Sequence, residues 1–104
     1  MTAFNIVKMR VKPGFEDDYL DYHRSRDLAG LKGMTALRVV KTGDRQFHVI
    51  GEWESMEDLA AARPAMITIL DGFRDKLEDL GGDLGVTDPC SGDAVIERRA
   101  EAMA

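Results

Sequence analysis

The chain is short, acidic and poor in cysteine, and these properties exclude several classes of function. It has 104 residues, of which 44% are hydrophobic and 32% are charged, so it can form a single folded core. A formal net charge of −5 opposes binding to nucleic-acid phosphates and to anionic membranes. The single cysteine, Cys90, cannot form an internal disulfide and has no Cys or His at metal-ligand spacing. We therefore expect no metal site.

The sequence also predicts a location and a domain organisation. The first residues lack the charged segment and the long apolar run of a secretion signal. No apolar run approaches the roughly 20 residues that a membrane-spanning helix requires. We expect a cytoplasmic protein without nucleic-acid or membrane partners. Without an internal repeat or linker, the chain is predicted to be one domain over 1–104, with a core at about 3–96 and a tail at 97–104.

The first half of the chain predicts a strand, a helix and a hairpin. Alternating residues over 3–11 predict a strand, and Pro13-Gly14 then favours a turn. Helix-forming residues predict a helix over about 15–31. Strands are predicted over 34–42 and 46–53, and the glycine and aspartate between them favour a tight connection.

The second half predicts two helical segments separated by a proline. Ser55 begins a capping-box pattern and predicts a short helix to about residue 62. Pro64 is expected to interrupt this helix and to begin a second one, because apolar residues then recur at steps of three and four until Gly81-Gly82.

The last part of the chain predicts a final strand in one of two places. Residues 84–87 and 94–96 are both β-like, and either could complete the sheet. The segment 88–93 has the composition of a loop. The predicted order of elements is therefore β-α-β-β-α-β, which is the split βαβ arrangement of an α+β protein.

The first predicted strand is apolar on both faces, which favours a homodimer. Phe4 and Ile6 lie on one face, and Val7 and Met9 lie on the other. Since the helices can cover only one face of the sheet, we expect a second copy to cover the other face. The alternative is a monomer in which polar residues keep that face in contact with water: Lys8, Arg10, Arg38, His48 and Glu52.

Two segments resemble the antibiotic-biosynthesis-monooxygenase domains. The segment 7–16, VKMRVKPGFE, resembles the strand-turn-helix opening of that family. The segment 47–59, FHVIGEWESMEDL, resembles its third strand and the Trp-x-Ser junction that follows. The resemblance covers roughly residues 3–80 and implies a ferredoxin-like fold with an antiparallel sheet, paired as a dimeric α+β barrel. Fold alone does not determine function.

The same family includes cofactor-independent oxygenases of polycyclic phenols and haem-degrading oxygenases. The haem-degrading branch resembles this chain at Trp53. However, Val7 stands where that branch has an asparagine, and Asn5 lies two residues earlier on the same strand face. Arg63 stands where the branch has a histidine, so the resemblance disfavours haem, although His23 could substitute as an iron ligand. We expect no cofactor.

Three residues are candidates for catalysis, each with a structural alternative. Asn5 can donate hydrogen bonds to a developing oxyanion, or it can be a satisfied polar group at the end of a strand. His23 has an unperturbed pKa near working pH and can deprotonate a phenol, or it can be a partly exposed histidine without a role. Trp53 can provide a stacking surface for a flat aromatic substrate, or it can anchor the core.

Three further residues are predicted to line the pocket. Arg63 is placed to steer an anionic substrate, whereas Tyr19 and Phe73 are expected to be mainly core residues that also form the pocket wall. The leading prediction for function is a cofactor-independent monooxygenase that acts on a small aromatic or hydrophobic molecule in a cleft between sheet and helices. The alternative is a ligand-binding or structural homodimer without catalysis.

Overall fold

The computed structural model describes residues 1–100 of the chain, so the end of the predicted tail, at 101–104, lies outside the described residues. Within the described part of the chain, no helix is both long and apolar enough to cross a membrane. The elements are β1 Ala3–Arg10, α1 Glu16–Ser25, β2 Met34–Gly43, β3 Gln46–Trp53, α2 Met56–Asp71, a 3-10 turn at Arg74–Lys76 and β4 Asp88–Asp93.

The four strands form one antiparallel sheet in the order β2-β3-β1-β4. Strand β1 lies between β3 and β4, and its residue Asn5 is paired with Gly51 of β3. This strand order and the β-α-β-β-α-β sequence confirm the predicted ferredoxin-like α+β fold.

The sheet has a face covered by the helices and a face without a covering element in the described chain. The alternation predicted for β1 and β3 is confirmed, since Met9, Phe47, Val49 and Trp53 are buried on the helix side. The opposite side, which we call the open face, carries these residues from the two central strands: Phe4, Ile6, Lys8, Arg10, Gln46, His48, Ile50 and Glu52. All of them are only half-buried.

Helix α2 continues through Pro64, so the predicted break at this residue is wrong. A proline inside a helix removes one backbone hydrogen bond and clashes with the preceding turn. That cost is offset by packing on both sides of it, because Leu59 and Ala62 are buried before Pro64 and Ile69 packs against both core clusters after it. The helix therefore stays a single rod along the sheet.

Both helices end earlier than the sequence predicts. Helix α1 stops at Ser25, and the next residue, Arg26, is extended, with φ of −72° and ψ of 144°. Helix α2 stops at Asp71, where the Tyr22 hydroxyl donates a 3.0 Å hydrogen bond to the carbonyl oxygen of Ile69. At the end of α2, a tertiary hydrogen bond therefore satisfies a backbone carbonyl group that a further helical turn would otherwise occupy.

The fourth strand is the segment 88–93, which the sequence predicts to be a loop. Neither β-like segment around it is a strand. Strand β4 is exposed along its whole length and is held by its backbone pairing with β1. An edge strand is bonded on one side only, so Pro89 can be accommodated there without losing a ladder hydrogen bond. Amino-acid composition does not predict such a strand, because its side chains do not pack into a core.

Candidate functional site

A cavity of about 420 Å³ lies between the helix side of the sheet and the helices. Two clusters of buried side chains border this cavity. The first cluster contributes Met9, Val49 and Phe73 to its lining, and the second cluster contributes Leu31 and Leu59. Its volume lies within the range of about 300–1,000 Å³ that is typical of small-molecule sites. Most of its walls are apolar side chains, among which a few polar groups can orient a ligand.

Asn5 is held on the cavity wall by a hydrogen bond from Trp53. The Trp53 Nε1 atom donates to Asn5 Oδ1 over 2.7 Å. Because an indole nitrogen can only donate, this bond fixes the orientation of the amide. The Asn5 Nδ2 hydrogens have no acceptor among the side-chain hydrogen bonds of residues 1–100, which leaves them available to a ligand.

Gly51 makes room for this hydrogen bond. It is the residue paired with Asn5, and Trp53 lies two positions further along β3. A Cβ atom at residue 51 would collide with Asn5 Oδ1 and would lie 2.9 Å from Trp53 Nε1. Glycine in the middle of a strand often marks such a close approach. The Asn5–Trp53 pair therefore depends on the absence of a side chain at residue 51.

His23 and Arg26 form a second polar pair on the cavity, at the end of α1. The Arg26 Nε atom donates to His23 Nδ1 over 3.3 Å. Since Nδ1 accepts this bond, the proton of the neutral imidazole is on Nε2. Both His23 Nε2 and Arg26 Nη1 are buried without a hydrogen-bond partner in the described chain. The pair therefore carries two buried donors that no acceptor satisfies.

Burial controls the protonation of His23. Its side chain lies against the rings of Tyr19, Tyr22 and Phe73, with ring centroids 4.7, 6.0 and 5.2 Å away. Desolvation by these neighbours, and then the charge of Arg26, lowers the pKa of His23 to about 4. At neutral pH the ring is therefore a neutral hydrogen-bond donor, and the role of His23 as the base that deprotonates a phenol stays a prediction.

The charged groups on the cavity are all positive. Arg26 and Arg63 line it, and no Asp or Glu of residues 1–100 does so. Arg63 is exposed, and its Nη2 atom lies 3.3 Å from Ser91 Oγ of β4, so it bridges α2 and the sheet edge. In a chain with a net charge of −5, this local excess of positive charge favours anionic ligands at the cavity.

The structure brings most of the predicted site residues to one cavity but leaves two in the core. Asn5, His23, Arg63 and Phe73 line the cavity. Tyr19 does not, contrary to the prediction, because its ring is fully buried and its hydroxyl lies 3.0 Å from Met9 Sδ. Burial raises the pKa of Tyr19.

Trp53 is also fully buried and does not line the cavity, so the predicted stacking surface is absent from its wall. This tryptophan contacts the site through Asn5. It therefore acts as a positioning residue rather than as a surface for the ligand.

Two residues of the site were not predicted from the sequence. Gly51 could have been identified because it interrupts an otherwise bulky strand. Arg26 lies three residues after His23, a spacing that places two helical side chains on the same face. Its contact with His23 depends, however, on the early end of α1, for which the sequence carries no clear signal.

The comparison with solved structures finds the same fold in several bacterial proteins. A protein from Chloroflexus aurantiacus, provisionally named an antibiotic biosynthesis monooxygenase, is 16% identical with a TM-score of 0.69, and the match covers 95% of this chain and 98% of that chain. A protein from Deinococcus radiodurans with the same provisional name is 8% identical with a TM-score of 0.73, covering 96% and 99%.

A third similar structure is described as a dimeric ferredoxin-like protein from an uncultured marine organism. It is 13% identical with a TM-score of 0.70, and the match covers 96% of this chain and 93% of that chain. No protein-family model matches the sequence, and the comparison with curated proteins finds no significant match. The resemblance to antibiotic-biosynthesis-monooxygenase domains is thus confirmed in the fold, because identities this low show the fold alone.

Proposed function

We propose that this chain is a cofactor-independent monooxygenase that binds a small aromatic molecule in the cavity between sheet and helices. The observation that carries the proposal is the apolar cavity of about 420 Å³ with Asn5 held on its wall by Trp53. Donors that are fixed before the reaction stabilise an oxyanion most strongly when they lie in an apolar site. The provisional names of the structures with the same fold agree with this chemistry.

The proposed substrate is a phenol whose keto tautomer carries a CH₂ group. Loss of the phenolic proton to water gives a phenolate, whose oxygen accepts hydrogen bonds from Asn5. The electron-rich carbon then reduces O₂ and forms a C–O bond, and loss of water from the resulting peroxide leaves a carbonyl group. The overall change is CH₂ + O₂ → C=O + H₂O, in which the substrate carbon supplies all four electrons. No external reductant is needed.

Haem is not part of this proposal. His23 is the histidine on the cavity, but its Nδ1 accepts from Arg26 and its Nε2 carries the proton. Neither nitrogen then presents a free lone pair to an iron, so the residues present do not fit haem ligation.

Oxygen consumption with a panel of polycyclic phenols and quinols tests the proposal. We expect the wild type to consume oxygen with at least one phenol, and Asn5→Ala to lower kcat by about 100-fold, as the loss of an oxyanion donor does elsewhere. Gln46→Ala is the matched control, because it removes an amide side chain from the open face. Equal rates for wild type and Asn5→Ala would contradict the assignment of the site.

We further propose that the chain is a homodimer in which two copies pair through their open faces. The centre of this face carries Phe4, Ile6 and Ile50, which are half-buried in one copy. The residues after β4 add exposed apolar area, since Val95 is 84% exposed and Ile96 is 79% exposed. Apolar patches of this kind mark association surfaces, and a protein with the same fold is described as dimeric.

The dimer can be tested by light scattering coupled to size-exclusion chromatography. We expect a mass of two chains for the wild type and of one chain for Ile50→Glu, which buries a charge in the interface. Leu84→Glu is the control, because Leu84 is 48% exposed but lies outside the sheet. A monomeric wild type would refute this part of the proposal.

A binding protein without catalysis is the second candidate. It is favoured by the absence of a carboxylate from the described cavity wall and by the lowered pKa of His23, which together leave no strong base near Asn5. This candidate predicts that a phenol raises the melting temperature of the protein without any oxygen consumption. Oxygen uptake that depends on Asn5 would exclude it.

A further inference from the structure

The most unusual group on the cavity is the guanidinium of Arg26. This side chain is half-buried, yet none of the ion pairs formed within residues 1–100 involves it. Its Nε atom is bonded to a neutral imidazole, and its Nη1 atom is buried without an acceptor. A charge that is partly removed from water without a counter-charge is unfavourable. The folded chain therefore maintains a positive charge that no ion pair within the described residues compensates.

His23 places a second donor beside this charge. The ring is only 9% exposed, it lines the cavity, and its Nε2 atom has no partner in the described chain. Buried polar groups in native proteins are nearly always hydrogen-bonded, so an orphan of this kind calls for an explanation. A ligand oxygen that carries negative charge would compensate the guanidinium of Arg26, whose half-buried side chain lines the cavity.

We infer that the cavity recognises its ligand by a second anionic oxygen, a carboxylate or a phenolate other than the one bonded to Asn5, that binds at the His23–Arg26 pair. The aromatic body of the ligand lies against the apolar side chains of α2, among them Met66, Ile69 and Leu70. This assignment deepens the proposed function, because it uses the same cavity and narrows the ligand class to aromatic anions. It does not depend on whether the ligand is oxidised.

The recognition follows from hydrogen bonding as well as from charge. Charge-assisted hydrogen bonds from a guanidinium to an oxyanion are stronger than neutral ones. A neutral alcohol of the same shape can accept from the pair but cannot compensate the charge of Arg26. Arg63, on the other side of the cavity, adds attraction for anions at long range. The site therefore discriminates by charge among ligands of equal size.

Calorimetric titration with three naphthalene probes tests this inference. The probes are 2-naphthoate, 2-naphthol and the neutral 2-naphthylmethanol. For the wild type at neutral pH we expect 2-naphthoate to bind at least about tenfold more tightly than the alcohol. Absorbance of the bound 2-naphthol reports its ionisation, so a bound phenol that ionises at lower pH than the free compound identifies the phenolate as a second accepted form.

Matched variants test the role of the pair. Arg26→Met should lower the affinity for 2-naphthoate by about 10- to 100-fold and that for the alcohol by no more than about threefold. Arg24→Met removes the same charge two residues away, from an exposed side chain bonded to Asp21, and should change neither affinity by more than about twofold. Arg26→Gln, which keeps a polar side chain, provides the same test if Arg26→Met does not fold.

The outcomes separate this inference from the proposed reaction. Equal affinity of the wild type for the alcohol and the naphthoate would overturn the inference, as would a loss of affinity in Arg24→Met that equals the loss in Arg26→Met. No binding of any probe at millimolar concentration would also overturn it. Charge-selective binding without oxygen consumption by any phenol would support the inference and refute the oxygenase proposal.

Discussion

The two histidines of the chain lie on opposite sides of the sheet, and the contrast between them shows how burial determines chemistry. His23 packs against the helix face, where burial lowers its pKa to about 4 and leaves Nε2 without a partner. His48 lies on the open face, is only half-buried, and its Nδ1 is 2.9 Å from Thr42 Oγ1. The same residue type is a buried, unsatisfied donor on one face and an ordinary surface group on the other.

The two faces of strands β1 and β3 differ in a similar way. On the helix face, β1 and β3 contribute a hydrogen-bonded pair, Asn5 and Trp53, to a cavity with apolar walls. On the open face, the same strands carry both apolar and charged residues. The helix face therefore has the cavity that the proposed ligand requires, whereas the open face has the mixed composition that the proposed dimer interface requires.

The largest effect on stability is expected from a Cβ atom at residue 51, where the side chains of Asn5 and Trp53 lie against the backbone of β3. Gly51→Ala should lower the free energy of unfolding by about 3 kcal/mol, because its Cβ collides with the Asn5–Trp53 pair. Gly92→Ala is the control, since nothing lies within 4 Å of a Cβ at that position. Urea unfolding followed by Trp53 fluorescence measures both variants. Equal stability of the two would show that the pair is not packed as described.

The next largest effect is the pH dependence of stability, which tests the burial of His23. The folded-state pKa of His23, about 4, lies below its ordinary value of 6.5, so between these values the unfolded chain binds a proton that the folded chain does not. Stability is therefore lost as pH falls, and His23 should contribute a loss of about 2 kcal/mol between about pH 7.5 and about pH 5.

Urea unfolding at both pH values measures this loss. His23→Phe should reduce the pH dependence by that amount while keeping an aromatic ring among Tyr19, Tyr22 and Phe73. If His23→Phe lost as much stability on acidification as the wild type, the carboxylates of the chain, and not His23, would account for its acid sensitivity.

The smallest expected effect is the loss of the hydrogen bond between Trp53 of β3 and Asn5 of β1. A double-mutant cycle with Asn5→Ala and Trp53→Phe should give a coupling energy of about 1 kcal/mol, the typical net value of a hydrogen bond. Trp53→Phe keeps an aromatic ring in the core but removes the indole donor together with part of the ring, and the cycle separates this loss of packing from the coupling energy. Additive losses in the double variant would mean that the two residues do not interact in solution.

The sequence predicted what depends on alternation and missed what depends on contacts between distant segments. The faces of β1 and β3 follow from a period of two, so the helix-side positions of Asn5 and Trp53 could be predicted. Strand β4 could not, because backbone pairing with β1 holds it rather than a pattern of side chains. The low pKa of His23 could not either, since it requires Phe73, fifty residues away, to cover the ring.

Binding to the helix face is the central claim, and an NMR titration of ¹⁵N-labelled protein with 2-naphthoate tests it most directly. The chain has one tryptophan, so its indole N–H gives a single signal that reports on the bond to Asn5. The account predicts that this signal and the signals of His23 and Arg26 shift and saturate, while the amides of His48 and Ile50 do not. Shifts confined to His48 and Ile50, with an unchanged indole signal, would place the ligand on the open face and contradict the account.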